Sequence, residues 1–364
     1  MKKYDLIIVG GGPSGSSAGK IACEKGIKSI ILEKGTVIGA PRHCEGRLVA
    51  TTGSRLTEEV IESMPSRVVL TEIRARRVFS PNGKLVKEIP LRGTGARLIL
   101  RDLFDLELAR QAANAGAEIA LNTRVTELLK ENGKIVGVRT SSSTLPEIYG
   151  KMVICAGGLQ ALAGGIPKQE GLTKPGQTVL SGILWELTNV KDIEPDIIEW
   201  HTGSFSERGD THFFPQDDVS VVMDTRTVGD LEKIKKGNWL ISKKIRDAVP
   251  LRMTGWTTVL GVGGGVPKYV KDGLILAGSA AGFLGILSAV FSGRHAGEVA
   301  AEAIQEDDVS EKKLCKYQGL VEKLVYGRGE VLRKFYRLSD EQIENMLPEM
   351  IEKDELQFWD TVPF

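Results

Sequence analysis

The 364-residue sequence is poor in several things at once. Its four cysteines, Cys23, Cys44, Cys155 and Cys315, lie too far apart for a Cys-x-x-Cys redox pair or a paired zinc knuckle. Four histidines cannot make a His-rich metal site, so no metal centre is expected. So few, scattered thiols fit a reducing, cytoplasmic compartment rather than a disulfide scaffold. Charge of one sign is missing too: 48 Lys plus Arg face 47 Asp plus Glu, which leaves no electrostatic footprint for nucleic acid. Long apolar runs are scarce. The stretch Leu6 to Val9 is too short for a signal peptide and reads as a buried strand. The uncharged run from Gly273 to Gly293 is long enough to span a bilayer but carries five glycines. It reads as a buried strand, a tight turn and a helix starting near Gly282.

What the sequence has in excess is glycine, 42 residues of 364 against a usage of roughly 7%. Gly10, Gly12 and Gly15 form a Gly-x-Gly-x-x-Gly turn between the apolar run Tyr4 to Val9 and a small-residue helix, Ser14 to Lys25. A second apolar run, Ser29 to Leu32, ends at Glu33. That order is the Rossmann dinucleotide fingerprint: Gly10 for the tight turn, Gly12 for close approach of a pyrophosphate, Gly15 for helix packing. The helix N-terminus faces the phosphates and Glu33 accepts from the ribose hydroxyls, which disfavours a 2′-phosphate. No second complete fingerprint exists; Gly261 to Gly265 runs into Val266-Pro267 and reads as a strand.

The fold expected is α/β, a Rossmann-like domain on a parallel sheet with an inserted antiparallel-sheet domain and a C-terminal helical segment. The dinucleotide domain is assigned to residues 1–56, 97–164 and 266–309, the substrate or cap domain to 57–96 and 165–265, and the helical tail to 310–364. Thr57 to Ile99 reads as antiparallel strands with a turn at Pro81 to Gly83. Asp102 to Ala115 reads as a helix, and Glu118 to Leu121, Lys134 to Arg139 and Lys151 to Ala156 as strands. Thr178 to Leu187, Ile197 to Thr202 and Val219 to Met223 alternate like an antiparallel sheet with one covered face. Ser339 to Gln342 spells a capping box.

The opening stretch 4–19 with Glu33-Lys34, the segment Arg101 to Ala109, the strand Val153 to Gly157 and the late motif Gly273 to Gly282 resemble, in order, the motifs of FAD enzymes with the p-hydroxybenzoate hydroxylase type of fold. Within that superfamily the chain is most similar to the geranylgeranyl reductase family of archaea. Pro41 to Gly46, Gly263 to Pro267 and Leu338 to Gln342 carry that resemblance. It implies an FAD site made by Gly10, Gly12, Pro13, Ser14, Gly15, Glu33, Lys34, Arg101, Ala156, Gly157, Gly278, Ser279 and Gly282. Where the family writes Gly-Asp this chain has Gly278-Ser279, so contact to the ribityl chain is expected to be weaker or rearranged. The helix after Gly282 would aim its N-terminus at the flavin pyrimidine. Of the aromatic motif lining the family's prenyl cavity, Phe214-Pro215 remain, with Asp210 and His212 where aromatics would stand, so His212, Phe214 and Pro215 are the candidate substrate residues.

Cys44 matches the family's active-site cysteine, and His43 and Arg42 beside it would lower its pKa; Cys44 and His43 are the candidate catalytic pair. The implied activity is FAD-dependent reduction of carbon–carbon double bonds in a prenyl lipid or related apolar substrate. A monooxygenase of the same fold and a non-catalytic FAD-binding or electron-transfer protein are the alternatives. NAD(P)H or a ferredoxin would supply electrons. Peripheral membrane contact is expected through Phe205, Phe213 and Trp200.

Overall fold

Runs of residues apolar on both sides make buried parallel strands. Leu6, Ile7 and Ile8 of β1 (Lys3–Val9) are fully buried, as is β2 (Ser29–Leu32) along its length. In the structure, a computed structural model describing residues 3–48, 55–92, 95–172, 178–207, 209–260, 268–324, 335 and 337–353, the chain divides into two units. The first comprises Met1–Ala40, Asp102–Thr178 and Val259–Gly327; the second Pro41–Arg101, Val179–Thr258 and Arg328–Phe364. The tail is shared between them.

The first unit holds an eight-stranded sheet. Its parallel core runs β18 (Leu274–Leu276), β11 (Glu147–Cys155), β1, β2, β8 (Glu118–Ala120). β9 (Val125–Glu131) and β10 (Lys134–Thr140) form a hairpin that adds antiparallel to β11, and β17 (Val270–Lys271) pairs antiparallel with β18. From β1 the chain passes to β2 on one side, while β11 lies on the other. β1 and β11 therefore flank the switch point at which open α/β sheets bind ligands.

Helix α1 (Pro13–Glu24) is made of small residues because it is packed on both sides. Towards the sheet, a Cβ on Gly19 would lie 2.8 Å from the Ile31 side chain. Towards α8 (Ile286–Gln305), Cβ atoms on Gly293 and Gly297 would strike the backbone carbonyls of Ser14 and Ala18. The steps of four on both helices set them side by side in the same direction. The expected helix start near Gly282 is corrected to Ile286. Gly282 and Gly285 have φ of 82° and 93°, which no helix continues, and Gly278–Ala281 form a single 3-10 turn. The first unit also holds α3 (Arg101–Asn114), α4 (Gly158–Gly164), α5 (Ile166–Gln169) and α9 (Glu311–Val321). Tyr317 of α9 donates its hydroxyl to Leu276 O at 2.9 Å.

The second unit has a small sheet of β3 (Arg47–Leu48), β7 (Arg97–Ile99) and β4 (Val69–Glu72), and a seven-stranded one. The latter runs β16 (Val249–Leu260), β12 (Thr178–Thr188), β15 (Val221–Thr225), β14 (Asp210–Pro215), β13 (Ile197–Thr202), β5 (Ala75–Phe79), β6 (Leu85–Pro90). β5 and β6 are joined through the turn expected at Pro81 to Gly83, where Gly83 has φ of 78° and donates to Ser80 O. Three expectations need correction. Arg55–Glu62 is a helix, α2, that buries Thr57 and Val60. β13 pairs with β5 in parallel inside an otherwise antiparallel series. The sheet is also covered on both faces: every residue of β13 and β15 is buried. On one face α6 (Val228–Lys236) and α7 (Leu240–Ile245) close a core of Trp185, Phe205, Phe213 and Met223. On the other, the Asp340–Glu352 helix, capped by the expected Ser339–Gln342 box, packs Ile343 and Leu347 against Val78 and Trp200.

Candidate active site

The fingerprint residues lie at the C-terminal end of β1, and each glycine has a distinct steric reason. Gly10 has φ of 102°, and a Cβ there would sit 2.5 Å from Ala156 O. A Cβ on Gly15 would strike Gly10 O, whereas one on Gly12 meets nothing within 4 Å. Gly12 thus faces open space at the N-terminus of α1, an end without any side-chain cap. Ala156 donates its N–H to Val9 O at 2.9 Å, which sets Ala156 and Gly157 beside the glycine turn. The late motif closes the ring from 264 residues away: a Cβ on Gly278 would meet Ser14 Cβ at 2.9 Å. Gly278 N donates to Ser292 Oγ, and Ser279 Oγ to Phe283 O at 3.3 Å.

Glu33 holds this loop together. Its Oε2 accepts from Gly11 N at 2.8 Å and its Oε1 from Gly35 N at 2.7 Å. A carboxylate has lone pairs left for further donors, so both bonds are compatible with a ribose. Lys34 is exposed and pairs with Gln160. Two serine hydroxyls in this unit, Ser14 Oγ and Ser288 Oγ in the first turn of α8, are buried without a protein partner. Buried unpaired hydroxyls beside an open, uncapped helix end are what a phosphate-bearing dinucleotide would satisfy. The donors present therefore fit FAD.

The remaining candidates fall in the second unit. Cys44 is half-buried, with its thiol 3.5 Å from Glu45 Oε2. Burial and then Glu45 push it up to about 11, against the opposing pull of the Arg101 guanidinium and the Gly46 backbone. The expectation that His43 and Arg42 lower this pKa is thus corrected. His43 is exposed and its ring lies 3.0 Å from Pro41 O. Arg42 turns away into the large sheet, donating to Gln216 Oε1 at 2.6 Å and lying 3.9 Å from Glu186, while Thr254 Oγ1 donates to Arg42 O. The Cys44 loop is thereby anchored on one face of that sheet.

His212 sits on the same face. Strand register places it opposite Trp200 on β13 and Asp224 on β15, in a row that continues to Val78 and Leu184. Asp224 Oδ1 accepts from His212 N at 2.7 Å and lies 3.2 Å from Nδ1. The ring stacks nearly parallel to Trp200 (centroids 5.8 Å, 7°) and Phe214 (5.7 Å, 22°). Pro215 ends β14 and is buried. The opposite face carries a cluster that sequence reading missed: Glu199 Oε2 lies 2.8 Å from His201 Nε2, and its Oε1 accepts from Lys244 Nζ at 2.6 Å. Trp200, Phe205 and Phe213, expected at a membrane surface, are buried instead, because both faces of the sheet are covered.

Residues 5–233 match the FAD dependent oxidoreductase family. The chain is 31% identical over 358 residues to the digeranylgeranylglycerophospholipid reductase of Methanocella arvoryzae, covering 93% of this chain and 87% of that one. The chain belongs to the FAD-dependent oxidoreductases, within the geranylgeranyl reductase family. The enzyme of the same name from Thermoplasma acidophilum is 28% identical over 88% of this chain and 84% of its own. Among solved structures, a geranylgeranyl bacteriochlorophyll reductase-like protein from Thermoplasma acidophilum superposes with a TM-score of 0.81 at 24% identity, covering 100% of this chain and 94% of that one. A flavin-dependent brominase does so at 0.73 and 16% identity over 98% and 93%; both show the fold. FAD is the cofactor of this oxidoreductase. The Gly263 to Pro267 part of the resemblance lies outside the described residues.

Proposed function

We propose that the protein reduces carbon–carbon double bonds of a geranylgeranyl-type prenyl lipid. The observation that carries this is the identity, near 31% over almost the whole chain, to enzymes named for that reaction. When bound and reduced, FAD supplies the hydride, the chemistry no side chain of the chain can perform. The glycine turn, Ser14, Glu33, Ala156, Gly157, Gly278, Ser279 and Gly282 hold and orient it, Glu33 taking the ribose end. Reduction of a double bond needs a hydride at one carbon and a proton at the other. A thiol raised to about 11 keeps its proton at neutral pH, so Cys44 Sγ is the assigned proton holder, with Arg101 fixing its position. His43 belongs to the exposed rim of that loop. An electron donor, NAD(P)H or a ferredoxin, reduces the enzyme between turnovers.

No described helix is long and apolar enough to cross a membrane. Contact with a lipid surface is assigned instead to edge strand β16, where Val249, Leu251 and Met253 are exposed on alternate residues. Lys235 reaches the Ala248 carbonyl just before that strand and adds positive charge beside it. The test is anaerobic mixing of dithionite-reduced protein with a digeranylgeranylglycerol phosphate. Reoxidation of flavin absorbance together with a gain of two hydrogens per reduced bond supports the reading. Reduced flavin that persists with intact lipid overturns it.

A further inference from the structure

We propose that the second unit docks on a bilayer rich in anionic headgroups through one face, made by the outer surfaces of α6 and α7 and the exposed stripe of β16. This rests on the prenyl-lipid reading above and names the chemistry of the surface that β16 meets. β16 closes one edge of the large sheet, and its Val249, Leu251 and Met253 are 45%, 62% and 53% exposed. Their direction follows from their neighbours. Arg252 reaches Glu186 Oε2 at 2.9 Å and Thr254 donates to Arg42 O, so these two side chains of β16 face the Cys44 loop. Glu186 alternates along β12 with Trp185 and Leu187, which belong to the core under α6 and α7. Leu251 and Met253 alternate with Arg252 and Thr254 in the same way, so they stand on the α6–α7 side of the sheet. Helix α6 runs beside them. Just before it, Arg226 donates to Ser181 Oγ of β12 at 3.1 Å; Val228, 54% exposed, begins it, and Lys235 near its end donates to Ala248 O at the foot of β16.

The charge around the stripe has one sign. Residues 228–247 carry six Lys or Arg against three Asp or Glu, in a chain whose formal charge is +1. Lys244 is held inside by Glu199, but Lys233, Lys236, Lys243 and Arg246 are exposed and Lys235 is half-buried. Of the acids, Asp230 is buried and accepts from Arg226 N and Thr227 N, while Asp247 pairs with a further base, Lys191. Glu232 lies 3.8 Å from Lys236. An apolar stripe flanked by an excess of lysine complements a layer of anionic headgroups over hydrocarbon. A second copy of the chain fits this face poorly: Pro250 has no N–H to offer at the sheet edge, and two copies would bring the same lysines together. The stripe itself is Val, Leu and Met, without the aromatic anchor on which protein interfaces centre.

The experiment sediments the FAD-loaded full chain with vesicles of phosphatidylcholine alone and of phosphatidylcholine and phosphatidylglycerol in equal parts. Wild-type protein is expected to bind the mixed vesicles at least about tenfold more tightly, and less so as salt is raised. Lys236→Gln and Lys243→Gln should each weaken that binding roughly fivefold, and Leu251→Ser combined with Met253→Ser on the order of tenfold, all with wild-type FAD content and melting temperature. Equal binding to both vesicles, no binding to either, or Gln variants that bind as wild type overturn the proposal. So does a wild-type dimer in size-exclusion chromatography that the paired serine substitutions dissociate, since the stripe would then belong to a second copy. Reduction of prenyl lipid dispersed in detergent reads the underlying assignment separately. Vesicle binding as expected, with dispersed lipid left intact by the reduced enzyme, overturns the prenyl reading and leaves the docking face standing.

Discussion

Replacing Gly12 and Gly15 separately by alanine tests the cofactor cradle, because the two glycines are needed for different reasons. A methyl at Gly12 meets nothing within 4 Å, so Gly12→Ala should leave the apoprotein as stable as wild type. The methyl does, however, occupy the space through which a pyrophosphate approaches the uncapped end of α1. Loss of one hydrogen bond to a charged phosphate is worth about 1.5–3 kcal/mol, so FAD affinity should fall roughly tenfold to 150-fold. Gly15→Ala instead drives a methyl into the Gly10 carbonyl, and helix and strand must separate. That overpacking should cost about 1–3 kcal/mol of stability even without cofactor. Apoprotein reconstitution followed by flavin fluorescence quenching gives the affinity, and thermal unfolding of the apoprotein gives the stability. Gly12→Ala protein that binds FAD as tightly as wild type would refute the assignment of the open space to a phosphate.

Glu199→Gln should destabilise the second unit by about 3–5 kcal/mol in chemical denaturation, since it leaves the buried Lys244 ammonium without its carboxylate; a change under 1 kcal/mol would show the pair to be dispensable. Acid should act on the same cluster. Burial holds His201 below its usual value near 6.5, so the unfolded chain takes up that proton first and stability falls as pH drops below about 6.5. Burial opposes ionisation of Glu199, but His201 and Lys244 outweigh it and hold its carboxyl low. Its contribution is therefore complete above pH 4.5 and lost further down; stability that is flat from pH 7 to 4 would contradict both signs. At pH 8, alkylation of Cys44 by iodoacetamide should run roughly two-hundredfold slower than that of a thiol with pKa about 8.5, as read by mass spectrometry. Labelling at an ordinary rate would identify it as a reactive thiolate instead.

The glycine turn, α1, β2 and Glu33 were legible in the sequence because that βαβ unit is local: each part lies within about thirty residues of the next. The neighbours that complete the cradle were legible only as motifs. That Gly278 abuts Ser14, and that Ala156 fills the space over Gly10, follow from β11 and β18 joining β1 on its far side, a pairing no short window contains. α2 was misread because Arg55–Glu62 is short and mixes Thr57, Val60 and Ile61 with charge, so its i, i+3 burial is masked by β-branched composition. The surface role expected of Trp200 and Phe213 failed for a related reason. Alternation identifies two faces, but not whether α6, α7 and the Asp340–Glu352 helix cover them. Asp224 went unnoticed because its partner is twelve residues away across a strand register that the sequence does not display.

The direction of the Cys44 shift and the geometry at His212 bear on the same chemical point. A low thiol pKa would suit a nucleophile, and a histidine pointing both nitrogens into protein would suit a structural core. Here burial and Glu45 raise the thiol pKa, while the imidazole is held with one nitrogen towards Asp224 and the other, among the described residues, without a protein partner. Neither arrangement maximises stability: an imidazole–carboxylate pair set in a row of Val78, Trp200 and Leu184 could be replaced by apolar side chains at little cost or some gain. Features that break the apolar pattern without a stabilising return are where function is expected. The Cys44 thiol and the His212–Asp224 pair are two such features, and reduction of a double bond by hydride leaves a proton for a side chain to supply.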